Sequence, residues 1–390
     1  MPKPKKREPE EIIKVASSLR KKDVDESVLE MARERIAHTF DIVDEVSVMF
    51  SGGKDSTVVL NLVLEEARRR GSTPVDVIFI DEEAIPPETI EYVERVASLP
   101  EVSMRWYCIP VKHRNGCSRE SPYWYPWAPE DEELWCRPLP ARAITELPGF
   151  KRESHAEINH LMWPKERGKT VASMMGIRAD ESMRRRLSVS RRVKDNYLSE
   201  STQAPWVTVC KPIYDWRSAD VWKAPQVFGW DYNHTYDKME AMGVPFADQR
   251  VAPPYGEEPM QRLWQFQIGW PELWDKMCER VPGAATAARY SQTDLYNYGK
   301  KQKPDELTWR EMIAVYLERH PAKTAAAIAK RIKREVAMHF SLTNDPIPEE
   351  DVHPSTGVSW KWLALIASRG DLKGRKMRQK SLENVEVMNR

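Results

Sequence analysis

A short apolar run, Val46 to Phe50, leads directly into Ser51-Gly52-Gly53-Lys54-Asp55-Ser56. An amphipathic run follows, in which Val58, Val59, Leu62, Val63 and Ala67 share one helical face. Strand, glycine turn and helix in this order make a phosphate-binding geometry. The glycines let the backbone come close to an anion with no side chain in the way. Free amides at the helix start, together with the helix dipole, favour negative charge there. Ser51 and Ser56 add hydroxyl donors and Lys54 adds a point charge. Asp55 reads either as a magnesium ligand or as a helix cap. The competing reading is a plain strand-to-helix turn. Two commoner phosphate loops are excluded. A Walker A loop needs GxxxxGK[ST], but Lys54 is followed by Asp55 and Val48 holds the earlier glycine position; a GxGxxG loop is absent because no GxG spacing occurs.

The surrounding pattern predicts the fold class. Helices are expected at about 10–20 and 26–42, the second capped by Asp25. Strands are expected at 46–50, 75–80, 102–109, 170–175 and 207–212. A helix over 55–70 ends at Gly71, and Pro86-Pro87 opens another. Alternating strands and helices imply an α/β fold, a parallel sheet with helical crossovers. Residues 112–140 read as a long aromatic loop, of the kind that is often functional, followed by a helix at about 139–147. From about Val221 the chain turns helical, with helices at 259–268, 271–280, 307–319, 322–340 and 358–369. The expected domains are a basic tail with helices (1–44), a nucleotide-binding domain (45–230) and a mostly helical C-terminal domain (231–390).

Composition limits the function. The 390 residues carry a net charge of +1, so no global field draws the chain to nucleic acid or a membrane. No apolar run is long enough to span a bilayer, and the basic start is not followed by a signal-type apolar segment. The five cysteines, at 108, 117, 136, 210 and 278, form no CxxC pair. That pattern predicts neither a structural zinc nor an iron–sulfur cluster, and fits a reducing cytoplasm. His155 and His160, with no HExxH, read as structural or surface residues. Asp81, Glu82 and Glu83 end the second strand; a carboxylate there would accept from a ribose hydroxyl, bind magnesium or cap the next helix. Trp135 and Arg137 would wall a pocket or pack in the core. Arg178, at a strand end before Asp180 and Glu181, reads as a phosphate ligand or as a solvated helix start. Lys323, Lys330, Arg331, Lys333 and Arg334 make a basic helix. With the tail from Lys373 to Lys380, it offers a surface for DNA or RNA.

The Ser51–Ser56 string resembles the PP-loop (adenine nucleotide α-hydrolase-like) family, in which SGGxDS binds the pyrophosphate part of ATP or the phosphosulfate part of a sulfonucleotide. Within it, the chain is most similar to the phosphoadenosine phosphosulfate (PAPS) reductase-like branch. Phe79-Ile80-Asp81 with Pro87-Glu88-Thr89 resembles the segment near the adenosine. Gly176-Ile177-Arg178-Ala179-Asp180-Glu181-Ser182, with Arg184, Arg185 and Arg186, resembles the phosphate-contacting GxRxxES segment. Lys211 to Trp216 with Asp220-Val221-Trp222 resembles the PI-x-x-W-x-x-x-D-V-W segment. The resemblance implies nucleotide binding by Ser51, Gly52, Gly53, Lys54, Asp55, Ser56, Asp81, Arg178, Ser182, Arg184 and Arg185. Catalytic roles fall to Lys54, Arg178 and Glu181, with magnesium at Asp55. Tyr232-Asn233 through Leu263-Trp264 resembles the extra region of a prophage and mobile-element subgroup, often encoded beside a ParB-like partner.

The chain departs from the reductases at its thiol. They attack sulfur with a cysteine in an ECGLH-like motif, and Met277-Cys278-Glu279-Arg280 is not one. Two functions are therefore expected. The first is ATP-dependent adenylyl transfer to an oxyanion such as sulfate, with release of pyrophosphate. The second is a nucleotide-sensing regulatory or DNA-associated role beside a ParB-like partner.

Overall fold

The computed structural model describes residues 26–369 apart from 119, 182–184, 186–188, 190–196, 247–248, 257–258, 291–303, 305, 352 and 354–355. The described residues form two compact units, one from 26–178 with 197–290, the other from 179–189 with 304–369.

In the first unit a seven-stranded sheet carries the architecture. Its strands are β1 (Glu45–Met49), β2 (Val75–Ile80), β3 (Val102–Tyr107), β6 (Ala143–Ile144), β7 (Val171–Met175), β8 (Leu198–Glu200) and β9 (Val207–Cys210), in the order β6-β3-β2-β1-β7-β9-β8. All neighbours are parallel except β8, which runs antiparallel to β9. A separate hairpin pairs β4 (His113–Arg114) with β5 (Tyr123–Trp124). Helices α1 (Val28–Ile42), α2 (Lys54–Arg70) and α3 (Pro87–Ala97) pack with β1 and β2 in one core that includes Ile36, Val48, Val59, Leu62, Phe79 and Trp106. Another core, around Ile78, Ile109, Ile158, Trp163 and Val207, is roofed largely by turns between 145 and 168. Gly71 ends α2 in the left-handed conformation, its amide bonded to Arg68 O at 3.1 Å.

Two expectations are corrected. Ser27 rather than Asp25 caps α1, accepting from the Leu29 amide at 3.3 Å; Asp25 lies outside the described residues, as does the helix expected at 10–20. The helix expected at 139–147 is absent. Ala143–Ile144 instead pairs with the open edge of β3. The antiparallel edge strand β8 had no counterpart in the sequence reading. The first unit runs through residue 231, where the sequence reading placed a boundary. That unit continues through α4 (Ser218–Phe228), α5 (Thr235–Ala241), α6 (Leu263–Gly269), α7 (Pro271–Arg280) and α8 (Ala284–Tyr290).

The second unit packs α9 (Trp309–Glu318), α10 (Ala322–Phe340) and α11 (Trp360–Arg369) around Trp309, Tyr316, Ile328, Ile332, Leu363 and Ile366. No described helix is long and apolar enough to cross a membrane.

Candidate functional site

The loop between β1 and α2 is a closed network. Gly52 takes φ +69°, and a Cβ there would stand 3.0 Å from Thr89 Cγ2, so α3 crowds the turn and only glycine fits without strain. Ser51 Oγ lies 3.1 Å from Ser56 Oγ, which accepts from the Ser51 amide at 3.2 Å and donates to the Gly53 carbonyl at 2.9 Å. Thr57 Oγ1 is within 3.0 Å of that carbonyl and 2.9 Å of the Tyr92 hydroxyl. Gly53, not Asp55, is the N-cap residue.

Residues beyond 230 complete the loop. Asn233 Nδ2 donates to the Gly52 carbonyl at 2.8 Å and to Thr89 Oγ1 at 2.9 Å. The Tyr236 hydroxyl accepts from the Lys54 amide at 3.0 Å, so the first amide of α2 is already satisfied from within the chain. Lys54 Nζ donates to the Gln249 carbonyl at 2.9 Å and lies over the rings of Trp222 and Tyr236. Burial pulls the Lys54 ammonium down to about 8, against the pull of Asp55 and with help from Arg178 and Arg250.

β7 delivers the second cation. After its last residue, Gly176 lies against the start of α2, and Arg178, 2% exposed, forms an ion pair with Asp55. Ser218 Oγ accepts from the same guanidinium at 3.3 Å. Lys54 Nζ stands 3.7 Å from the other Asp55 oxygen. The Asp55 carboxylate is thus shared by two cations. A metal ion at Asp55, as the resemblance implies, would have to share the carboxylate with these two cations.

Asp81, expected beside a ribose or a metal, is fully buried and does other work. Its carboxylate accepts from Trp106 Nε1 at 2.8 Å, from the Glu83 amide at 2.9 Å and from Arg137, with which it is ion-paired. Glu83, also fully buried, accepts from the Trp127 and Cys136 amides at 2.7 and 3.0 Å and from Arg280 Nε at 2.9 Å. These two carboxylates tie down the aromatic loop, because buried charge is tolerated only when it is paired and hydrogen-bonded. Arg137 therefore anchors the loop.

Glu82, between them, faces elsewhere. It meets His113 and His155, and the three ligating atoms lie within 4.8 Å of one another. Burial pushes His113 and His155 down, to about 3 and about 4, and pushes Glu82 up to about 8. His155, read from the sequence as a structural or surface residue, stands here beside His113 and Glu82. The three positions come from distant points in the chain, which no local spacing announces.

Of the remaining expected site residues, Glu181 and Arg185 belong to the second unit and are ion-paired with each other. Ser182, Arg184, Arg186, Arg191, Arg192 and Lys194 lie outside the described residues. Asn233, Tyr236 and Gln249 were missed as parts of the loop; the string Tyr232-Asn233 was the one available signal. The segment resembling PI-x-x-W is structural. Arg35 of α1 makes a bidentate pair with Asp215 at 2.7 Å and donates to the Pro212 carbonyl at 2.8 Å, while Trp216 Nε1 donates to the Val28 carbonyl at 2.9 Å.

Residues 45–243 match the phosphoadenosine phosphosulfate reductase domain, and residues 243–352 match a domain of unknown function (DUF3440). Uncharacterized protein YbdN of Escherichia coli (strain K12) is 33% identical over 375 residues, 88% of each chain. Among solved structures, FMN adenylyltransferase of Candida glabrata with FMN and the ATP analogue AMPCPP aligns at 16% identity and a TM-score of 0.35, covering 58% of this chain and 67% of that one. PAPS reductase of Candida auris, a phosphate complex, aligns at 17% identity and a TM-score of 0.31, covering 60% and 92%.

Proposed function

The chain belongs to the phosphoadenosine phosphosulfate reductase domain family, and we propose that it binds ATP at the Ser51–Ser56 loop and transfers the adenylyl group to an oxyanion, releasing pyrophosphate. The observation that carries this reading is the cradle itself. Ser51 and Ser56 hydroxyls, the backbone at Gly52 and Gly53, and the buried cations Lys54 and Arg178 converge at the start of α2. In the reaction an acceptor oxygen forms a bond to the α-phosphorus. The bond from that phosphorus to the α,β-bridging oxygen breaks, and its electron pair leaves with pyrophosphate. Ser51, Ser56 and Lys54 hold the leaving group. Arg178 exchanges part of its contact with Asp55 for the charge that builds on the phosphates. A sulfonucleotide fits the same cradle as a ligand. Sulfate is the first acceptor to test.

The thiols favour this over reductive attack on a sulfonucleotide. Cys108, Cys136 and Cys210 are buried, and burial pushes Cys117 up to about 12, Cys210 up to about 12 and Cys278 up to about 11. A protonated thiol is a poor nucleophile. Incubation with α-labelled and γ-labelled ATP, with and without magnesium, and with candidate oxyanions tests the reading. Labelled AMP or an adenylylated product with pyrophosphate is the expected result. ADP with phosphate, or thioredoxin-dependent sulfite from PAPS, overturns it.

A second reading has one observation in its favour. Lys323, Lys330, Lys333 and Arg334 are exposed on α10, while Arg331 is paired with Glu335 at 2.7 Å. Under this reading the nucleotide is sensed rather than consumed, and α10 meets nucleic acid or a ParB-like partner. Binding to DNA that weakens steeply with salt, and less steeply after Lys330→Glu with Arg334→Glu, is its expected signature.

A further inference from the structure

We propose that Glu82, His113 and His155 form a binding site for a divalent first-row transition metal ion, for which zinc is the probe. Three separate elements bring the ligands together: the turn after β2, the hairpin strand β4, and the single helical turn His155–Glu157. Glu82 Oε1 lies 3.7 Å from His113 Nε2 and 3.5 Å from His155 Nε2. Tetrahedral coordination with bonds of about 2.0–2.2 Å places ligand atoms roughly 3.3 Å apart, so small side-chain rotations close the site around an ion.

The second observation is that both Nε2 atoms are buried and have no hydrogen-bond partner. A buried imidazole nitrogen left unsatisfied is costly, and two of them facing one carboxylate call for a group between them. The frame is built rather than accidental. The Lys112 amide donates to the Glu153 carbonyl at 3.1 Å, coupling the strand that carries His113 to the approach of His155. His113 pairs in register with Trp124, whose ring packs against the imidazole at 5.6 Å between centroids.

Two imidazoles and one carboxylate give three protein ligands. That is the donor set of metal sites that keep a coordination position open for water or an anion, not of closed structural sites. The site follows the carboxyl end of β2, the strand next to β1, whose end carries the phosphate loop. Ligands of parallel sheets gather at those ends.

The test uses untagged full-length protein, stripped with chelator, then titrated with zinc by calorimetry and loaded with cobalt for absorption spectroscopy. The expected result is one equivalent of zinc and cobalt bands without thiolate charge transfer. Zinc affinity should fall at least ~10-fold in Glu82→Gln and in His155→Ala. His155→Gln, checked for folding by circular dichroism, carries the test if the alanine variant does not fold. Failure of the wild type to bind zinc, an unchanged affinity in the folded variants, or a thiolate charge-transfer band overturns the proposal.

Discussion

Gly176 sits so close to Asp55 that a Cβ on it would stand 2.7 Å from the Asp55 carbonyl carbon and 2.8 Å from the Ser56 nitrogen. The end of β7 and the start of α2 therefore meet backbone to backbone. Neither atom is the far end of a flexible side chain, so nothing there can give cheaply. Gly176→Ala is expected to cost about 1–3 kcal/mol of stability and to weaken ATP binding by displacing the loop. Thermal denaturation and calorimetry on the same variant measure both. A variant as stable as the wild type, with unchanged affinity, would remove the packing argument.

Arg178 is expected to act when charge builds on the phosphates. If adenylyl transfer occurs, Arg178→Ala should lose ~10²–10³ of turnover. Asp55→Asn serves as the contrast, because it frees the guanidinium from its ion pair and leaves the cation in place. Single-turnover rates with α-labelled ATP distinguish the two. Equal losses in both variants would assign the pair a purely structural role.

The depressed Lys54 ammonium gives ATP binding a pH dependence. The sign follows from the nucleotide's negative charge. Phosphates stabilise the protonated form, so binding takes up protons near pH 8, and affinity falls as pH rises through that value. Calorimetry in buffers of different ionisation heat reads the proton uptake directly. In Lys54→Met the uptake should vanish. Proton release on binding to the wild type would contradict the assignment.

Glu83 and Arg280 form a buried pair, their side chains 0% and 4% exposed. Removing the negative charge leaves the buried guanidinium with Asp131 as its remaining acidic partner among the described residues. Glu83→Gln should cost about 3–5 kcal/mol, read as a lowered urea midpoint. A loss of less than about 1 kcal/mol would show that the aromatic loop is held by other contacts.

The cysteines are expected to be dispensable for nucleotide binding. Replacing all five, with alanine at the buried positions, should leave ATP affinity within about two-fold of the wild type once folding is verified, because no thiol takes part in the loop's hydrogen bonds. Loss of binding in a folded variant would reopen thiol chemistry.

How much of this was legible in the sequence follows a physical line. The spacing of Val58, Val59, Leu62, Val63 and Ala67 and the glycines at 52, 53 and 71 are local constraints, and local constraints are written locally. They were sufficient for β1, the loop, α2 and its end, and for the parallel sheet. The 139–147 segment misled because helical spacing competed with an open strand edge that only β3 could offer. The carboxylates at 81, 82 and 83 are consecutive and chemically alike. The sequence left their roles open, and the folded chain assigned them by pairing Asp81 with Arg137, Glu83 with Arg280, and Glu82 with two histidines.

By itself, then, the sequence determined the loop: a strand, two glycines and a helix start bring amides, hydroxyls and a lysine to one place, whatever surrounds them. Only the tertiary structure decided which groups are spoken for. Tyr236 takes the first helix amide, Gln249 takes the Lys54 ammonium, Asp55 takes Arg178, and Glu82 gathers His113 and His155. Those partners are brought together from as far as 195 residues along the chain. A buried charge or amide must find a partner among whatever groups packing brings to it, and packing is a property of the whole fold, not of any window of sequence.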